Sequence, residues 1–385
     1  MIQATKAILA DLISFPTVST VSNLAMIEYI ANHLAGVGTK IHIFKDETET
    51  KANLFATLGP NCKGGLVLSG HTDVVPVEDQ KWSSNPFELK ELDNKFYGRG
   101  ACDMKGFIAC ALAIAPEYAK SKLNIPIHFV FTYDEETGCL GAQNLVRDLA
   151  TKNIKPSMAI IGEPTEMRII EGHKGMYEYT TTFSGLEGHG SRPELGVNAV
   201  EYATLYVSYL IGLRTQLIER APINSKFEPP YTTINVGSIH GGVKHNVIAN
   251  NCAVEWEMRP VQNSDADFVK SAMYDYAMQT LLPEMKKVCP GAEIKVRTVG
   301  EIEGLEPVVN NSALELVSEI TGVMGTEQVS FGTEAGIYQS YGIDCVVCGP
   351  GSIEQAHKAD EFITIDQLQS CLIMFEKLRD KLSQH

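Results

Sequence analysis

The chain has 385 residues, 44% of them hydrophobic and 21% charged, nine cysteines and a formal net charge of −15. That length suits two domains, and the charge excludes a nucleic-acid or anionic-membrane partner, since neither would be attracted. No run of about 18 apolar residues spans a bilayer, the start Met1-Ile2-Gln3-Ala4-Thr5-Lys6 lacks a signal-peptide core, and an odd number of scattered cysteines points to reduced thiols, so a cytoplasmic protein is expected.

Helical periodicity covers Ala4–Ser14 and Ser22–Ala35, and short strands follow at Lys40–Phe44, Asn53–Leu58 and Gly65–Leu68. The third strand leads into Ser69-Gly70-His71-Thr72-Asp73 at its C-terminal end, where ligand sites form in open α/β sheets. Residues two apart on an extended chain face the same side, so His71 and Asp73 can enter one crevice. A neutral imidazole there suits zinc, and a nearby carboxylate can fix its tautomer. Pro76–Tyr97 reads as a linking loop, after which Gly98-Arg99-Gly100 leads to Asp103 and a helix over Met104–Tyr118. A strand at Ile125–Thr132 ends in Asp134-Glu135-Glu136. Helix Gly141–Ala150 follows, then strand Met158–Ile161, which runs on to Gly162-Glu163-Pro164. This alternation is that of βαβ units.

The pattern then changes. Strand Tyr177–Phe183, helix Gly196–Leu213, strands Thr232–Ile239 and Asn246–Met258, helix Ala266–Leu282 and strand Glu293–Val299 follow in the order β-α-β-β-α-β. That order is ferredoxin-like. The expected fold class is therefore α/β. A mostly parallel catalytic sheet with helices on both faces (1–172 and 302–385) is interrupted by a ferredoxin-like α+β unit at 173–301. Downstream come helix Asn311–Ile320, strand Asp344–Val347, the turn Gly349-Pro350-Gly351 before Gln355-Ala356-His357, and a terminal amphipathic helix Asp366–Leu382. Cys345 in that strand and Cys348 at its end would point to opposite faces, which favours core packing over metal binding.

Taken together, the motifs around His71 and Asp73, Asp103, Asp134-Glu135-Glu136, Glu163 and His357 resemble the di-zinc aminoacylase and carboxypeptidase family over essentially the whole chain. The resemblance implies metal-dependent hydrolysis of a linear amide. It implies two zinc ions per subunit, with cobalt able to substitute. Asp103 would bridge them, His71 and Glu163 would hold one, and Glu136 and His357 the other. Imidazole and carboxylate without thiolate suit zinc and leave positions open for water and substrate. Glu135 would be the general base for a bridging hydroxide, Asp73 would hold the His71 tautomer, and Asp103-Met104 would be a cis peptide.

In the inserted unit, His189 lies in the Gly-rich segment Leu186-Glu187-Gly188-His189-Gly190-Ser191. Its surroundings alone read as a solvated turn. The resemblance makes it an oxyanion donor that reaches a second subunit, and so implies a homodimer through a lid and dimerisation domain. Asn246 and Arg259 fall at substrate-binding positions, where the planar fork of Arg259 would suit an α-carboxylate; otherwise Arg259 is a surface strand charge.

Substrate choice rests on the variable parts. Desuccinylases of this family carry an arginine in a Gly-Thr-Ser-Asp-Gly-Arg-Phe segment, whereas this chain has Gly332-Thr333-Glu334-Ala335-Gly336. The acid Glu334 would suit a substrate with a side-chain ammonium. The Gly349–His357 and Gly188–Ala199 segments most resemble the branch that converts N2-acetyl-L-ornithine to ornithine and acetate in arginine biosynthesis. The alternatives are a succinyl-diaminopimelate desuccinylase or a broader N-acyl amino acid amidohydrolase. A non-catalytic relative that only binds metal or peptides is a further alternative, against which the full set of ligands speaks.

Overall fold

The computed structural model describes residues 1–383, so the last two residues of the predicted 302–385 segment lie outside the described residues. The chain divides into two compact units. The first comprises Met1–Gly172, Pro307–Gln328 and the residues from Thr333 on; the second comprises His173–Glu306 and Val329–Gly332. The return to the first unit falls at Pro307, later than the expected 302. The last strand of the second unit runs to Ile302, and His173 N–H then bonds to Leu305 O at 3.0 Å, which keeps the following residues there.

In the first unit, α1 (Ile2–Ser14) and α2 (Leu24–Ala35) precede β1 (Lys40–Lys45), β2 (Ala52–Leu58) and β3 (Leu66–His71). A hairpin of β4 (Lys90–Leu92) and β5 (Lys95–Tyr97) follows, then α3 (Lys105–Lys120), β6 (Ile127–Thr132), α4 (Leu140–Thr151), β7 (Met158–Pro164) and β8 (Ile170–His173). The hairpin lies where the sequence suggests only a loop. Its turn, Asp93-Asn94, has positive φ at both residues (50° and 60°), as tight hairpins require.

The second unit contains β9 (Met176–Ser184), β10 (Gly188–His189), α5 (Ala199–Glu219), β11 (Thr233–Gly241), β12 (Val247–Ile248) and β13 (Asn251–Arg259). A long helix follows, α6 (Asn263–Asp275) continuing through a π-helical stretch into α7 (Leu282–Val288), and β14 (Glu293–Ile302) closes the unit. Its four-stranded antiparallel sheet has the order β11-β13-β9-β14. Strand β9 alternates buried and part-buried residues, as a sheet with one covered face demands. One predicted strand is split. Val247–Ile248 pairs with Gly188–His189 as a separate ribbon, and the long strand begins only at Asn251.

The remaining elements are α8 (Ser312–Thr321), β15 (Glu327–Val329), α9 (Ala335–Ser340), β16 (Asp344–Gly349), β17 (Phe362–Thr364) and α10 (Ile365–Ser383). The main sheet has eight strands in the order β1-β2-β6-β3-β7-β16-β8-β15. Its centre, β6-β3-β7-β16, is parallel, while β1, β2 and β8 pair antiparallel at the flanks. Strands β3 and β6 are buried at every residue, as parallel strands covered on both faces should be.

Helices α1, α3 and α10 pack on one face of the main sheet. Helices α4 and α9 pack on the other, where Tyr338 of α9 meets Ser69 of β3 at 3.0 Å. All nine cysteines are unpaired, and Cys345 and Cys348 are buried in β16. Among the described residues, no helix is long and apolar enough to cross a membrane.

Helix α3 is buried along nearly its whole length and approaches β7 closely at Gly162. A Cβ on Gly162 would lie 2.0 Å from Phe107 Cγ, so only glycine fits beside Glu163. Gly162→Ala should therefore lower unfolding stability by about 1–3 kcal/mol, the usual cost of overpacking a core. Urea denaturation measures this, and an unchanged midpoint would contradict the packing described.

Candidate metal centre

The C-terminal ends of the parallel strands gather a cluster of imidazoles and acids in the first unit. His71 closes β3 and is 1% exposed. Its Nδ1–H donates to the Asp73 carbonyl oxygen at 2.9 Å. A carbonyl only accepts, so the other ring nitrogen, Nε2, is left to take a proton or a metal. That nitrogen faces Asp103 Oδ1 at 3.0 Å and Glu163 Oε1 at 3.7 Å.

Asp103 turns its second oxygen the other way. Oδ2 lies 3.4 Å from His357 Nε2, and that nitrogen lies 3.0 Å from Glu136 Oε2. One carboxylate thus joins two clusters, each with an imidazole and a further acid. Ligand atoms of His71, Glu135 and Glu163 also fall within 4.8 Å of one another, as do those of His71, Asp103 and Glu136. Asp103 sits in the turn before α3, and its peptide to Met104 is cis. His357 is reached at φ 62°, and its side chain is 56% exposed, so the cluster is open on that side.

Electrostatics decide what this cluster needs. Burial, reinforced by neighbouring carboxylates, pushes Glu135 and Glu163 well above the usual range and also raises Glu136. Burial opposes ionisation of Asp103 too, but hydrogen bonds from His357 and His71 outweigh it and hold that carboxyl low. Burial likewise works against charge on His71, yet the Asp103 hydrogen bond and the surrounding acids raise it well above an ordinary histidine. His357 is lifted to about 10 by its hydrogen bonds to Asp103 and Glu136.

So many buried acids require positive charge among them. Glu163 Oε1 is buried and has no hydrogen-bond partner, a lone pair left over for a cation. The N/O donor set without thiolate suits zinc and related divalent ions. The residues fit divalent ions, which His71 with Glu163 and Glu136 with His357 could hold on the two sides of Asp103.

Two expectations need correction. The Asp73 carboxylate does not hold the His71 ring; it stands 3.6 Å from Nδ1, which bonds instead to the Asp73 main chain. The carboxylate is occupied by Ser19 Oγ at 2.7 Å and by the N–H groups of Glu135 and Glu136 at 3.1 and 3.3 Å. Asp73 therefore positions the acidic loop after β6. Next to it, Asp134 is fixed by an ion pair with Lys51.

Glu334 does not present its carboxylate at the surface. It is 1% exposed and accepts from Ser69 Oγ at 3.1 Å and from Thr132 Oγ1, beneath the ends of β3 and β6. Burial raises its pKa, and its short-range partners are hydroxyls. The Gly-Thr-Glu segment bends into the core because α9 begins at Ala335 and packs against the sheet.

The second unit carries the other predicted residues. His189 is exposed and lies opposite Val247 in the two-stranded ribbon. Its Nδ1 accepts from Ser191 N–H at 3.2 Å and meets Ser191 Oγ at 2.8 Å, which puts the proton of a neutral ring on Nε2. Asn246 is beside it, its carbonyl accepting from Gly190 N–H at 2.9 Å. Arg259, at the end of β13, is paired with Glu257 at 2.8–2.9 Å.

One acid went unnoticed in the sequence. Glu361 is 1% exposed and accepts from the N–H groups of Gly100, Cys102 and Asp103 and from Arg99. Its place four residues after His357 was the only signal available.

The profile of peptidase family M20/M25/M40 matches residues 67–380. The chain belongs to this family. Acetylornithine deacetylase of Pasteurella multocida is 34% identical over 375 residues, 95% of each chain. That of Proteus mirabilis is 38% identical over 361 residues, covering 92% of this chain and 90% of its own. The M20 metallo-carboxypeptidase Sso-CP2 of Sulfolobus solfataricus shares the fold, with a TM-score of 0.74 at 18% identity over 98% of this chain and 99% of its own. As an M20 protein with the donor clusters described, the chain is a metal-dependent hydrolase, and that class implies a small amino-acid substrate.

Proposed function

We propose that this chain hydrolyses the amide bond of N2-acetyl-L-ornithine to L-ornithine and acetate, a cytoplasmic step of arginine biosynthesis, with two zinc ions, or cobalt in their place. The observation that carries the substrate is the likeness to acetylornithine deacetylases over at least nine-tenths of both chains. Bound at Asp103, the two ions supply Lewis acidity toward an amide carbonyl and toward water.

Glu135 takes the proton of the attacking water and returns it to the departing amine nitrogen. Its part-buried carboxyl lies among the donors, which suits this role. Its ligand atom is also close to those of His71 and Glu163, which makes Glu135 a rival ligand. His189, with its proton on Nε2, would donate to the carbonyl oxygen as negative charge develops there. Asn246 would help to hold the substrate. Arg259 would exchange Glu257 for the substrate α-carboxylate.

Glu135→Gln separates the two roles for that acid. Turnover of N2-acetyl-L-ornithine should fall by roughly 10²–10⁴-fold, the usual contribution of a general base, with metal content at the wild-type level. Metal loss in proportion to activity would make Glu135 a ligand. The same assay tests the substrate, because wild-type kcat/KM should be higher for N2-acetyl-L-ornithine than for N-succinyl-diaminopimelate, and the reverse order would sink the proposal.

A homodimer through the second unit, with His189 serving the partner's site, makes a further demand. His189→Ala should lower kcat by roughly 10²–10³-fold with little change in KM. Mixing Glu135→Gln with His189→Ala under subunit exchange should restore activity, because one site of each mixed dimer regains both groups. No recovery after verified exchange would place His189 in its own chain's chemistry or in none.

A further inference from the structure

Asp103 and His357 are held by one continuous chain of hydrogen bonds that is separate from the strands placing the other ligands. Glu361 Oε1 accepts from Cys102 N–H at 2.8 Å and from Asp103 N–H at 3.0 Å. Its Oε2 accepts from Gly100 N–H at 2.9 Å and from Arg99 at 2.8 Å. Arg99, also 1% exposed, donates onward to Lys358 O at 3.2 Å and to Gln80 Oε1 at 2.5 Å. Gln80 Nε2 in turn donates to the His357 carbonyl at 2.9 Å. The path therefore runs from the backbone of Asp103 through Glu361, Arg99 and Gln80 to the backbone of His357.

His357 needs such an anchor. It stands in the left-handed region with an exposed ring, so little packing of its own fixes its direction. His71 and Glu163 differ, because they belong to β3 and β7 in the buried centre of the sheet. Glu361 offers every acceptor site to the loop and none to the cluster. Its chemistry is that of a clamp, in which a glutamine would present two N–H donors to N–H groups that need an acceptor.

We propose that Glu361, Arg99 and Gln80 are positioning residues that hold Asp103 and His357 in ligating geometry, and that Gln80, which reaches His357 and not Asp103, selectively sets the affinity of the metal position formed by Glu136 and His357. This rests on the two-ion arrangement proposed above. Groups that orient ligands typically change metal affinity by about 10–100-fold when lost. A Gln80 that served only to hold the fold together would, when lost, weaken both positions or neither.

The test is zinc content of the full chain equilibrated at graded free zinc, alongside the melting temperature of the metal-free protein. Wild type should hold two ions. Gln80→Ala should weaken one of them by about 10–100-fold, leave the other unchanged, and melt close to wild type without metal, since Gln80 is uncharged and partly exposed. Adding Gln80→Ala to His357→Ala should cause no further loss, which identifies the weakened position. Glu361→Gln, which also loosens the shared Asp103, should weaken both ions; if that variant does not fold, Gln80→Ala decides alone. Two ions in wild type with unchanged affinity in Gln80→Ala, or with both ions weakened equally, would overturn the inference. Fewer than two ions in wild type would overturn the two-ion arrangement first, and this inference with it.

Discussion

The two oxygens of Asp103, one turned to His71 and the other to His357, are the constraint on which the site depends. Around them stand Glu135, Glu136 and Glu163, all pushed toward their protonated forms by burial. Two like charges 4 Å apart repel by about 4 kcal/mol at an effective dielectric of about 20. No arrangement of hydroxyls offsets several such repulsions. Protons on the two histidines do so in part, which is why both are held above an ordinary imidazole. Divalent ions would do so more fully, and the orphaned oxygen of Glu163 points to where one would sit.

The fold makes this concentration of acids tolerable by fixing each one through its neighbours. Parallel strands deliver His71 and Glu163 from a core buried on both faces. Asp73 occupies the N–H groups of Glu135 and Glu136, and Lys51 neutralises Asp134. On the opposite side, Glu361 and Arg99 form a fully buried ion pair against the Asp103 loop. Such pairs are poor sources of net stability, but removing one partner leaves a costly uncompensated charge. The pair is better understood as fixing geometry than as adding stability.

Much of this was legible in the sequence because it depends on local pattern. Buried β3, β6 and β7 announce themselves as apolar runs, and acids or a histidine at their C-terminal ends mark a site in an α/β sheet. The division of ligands between two ions came from the family resemblance. What could not be read were partners distant in sequence. Asp73 follows His71 by two residues, yet its carboxylate serves a loop 62 residues on. Glu334 looked available for substrate and is instead bonded to Ser69, 265 residues before it. Neither partner leaves a periodicity or a motif. The β4–β5 hairpin was missed for a different reason: three-residue strands are too short to show alternation, although Asp93-Asn94 carried the turn signal.

The central claim is that one carboxylate joins two metal positions. A crystal structure of the zinc-loaded protein, with anomalous differences recorded on both sides of the zinc edge, tests it most directly. The account predicts two zinc peaks about 3.5–4 Å apart, with Asp103 between them, one beside His71 and Glu163 and the other beside Glu136 and His357. A single peak, or two peaks that do not share Asp103, would contradict it.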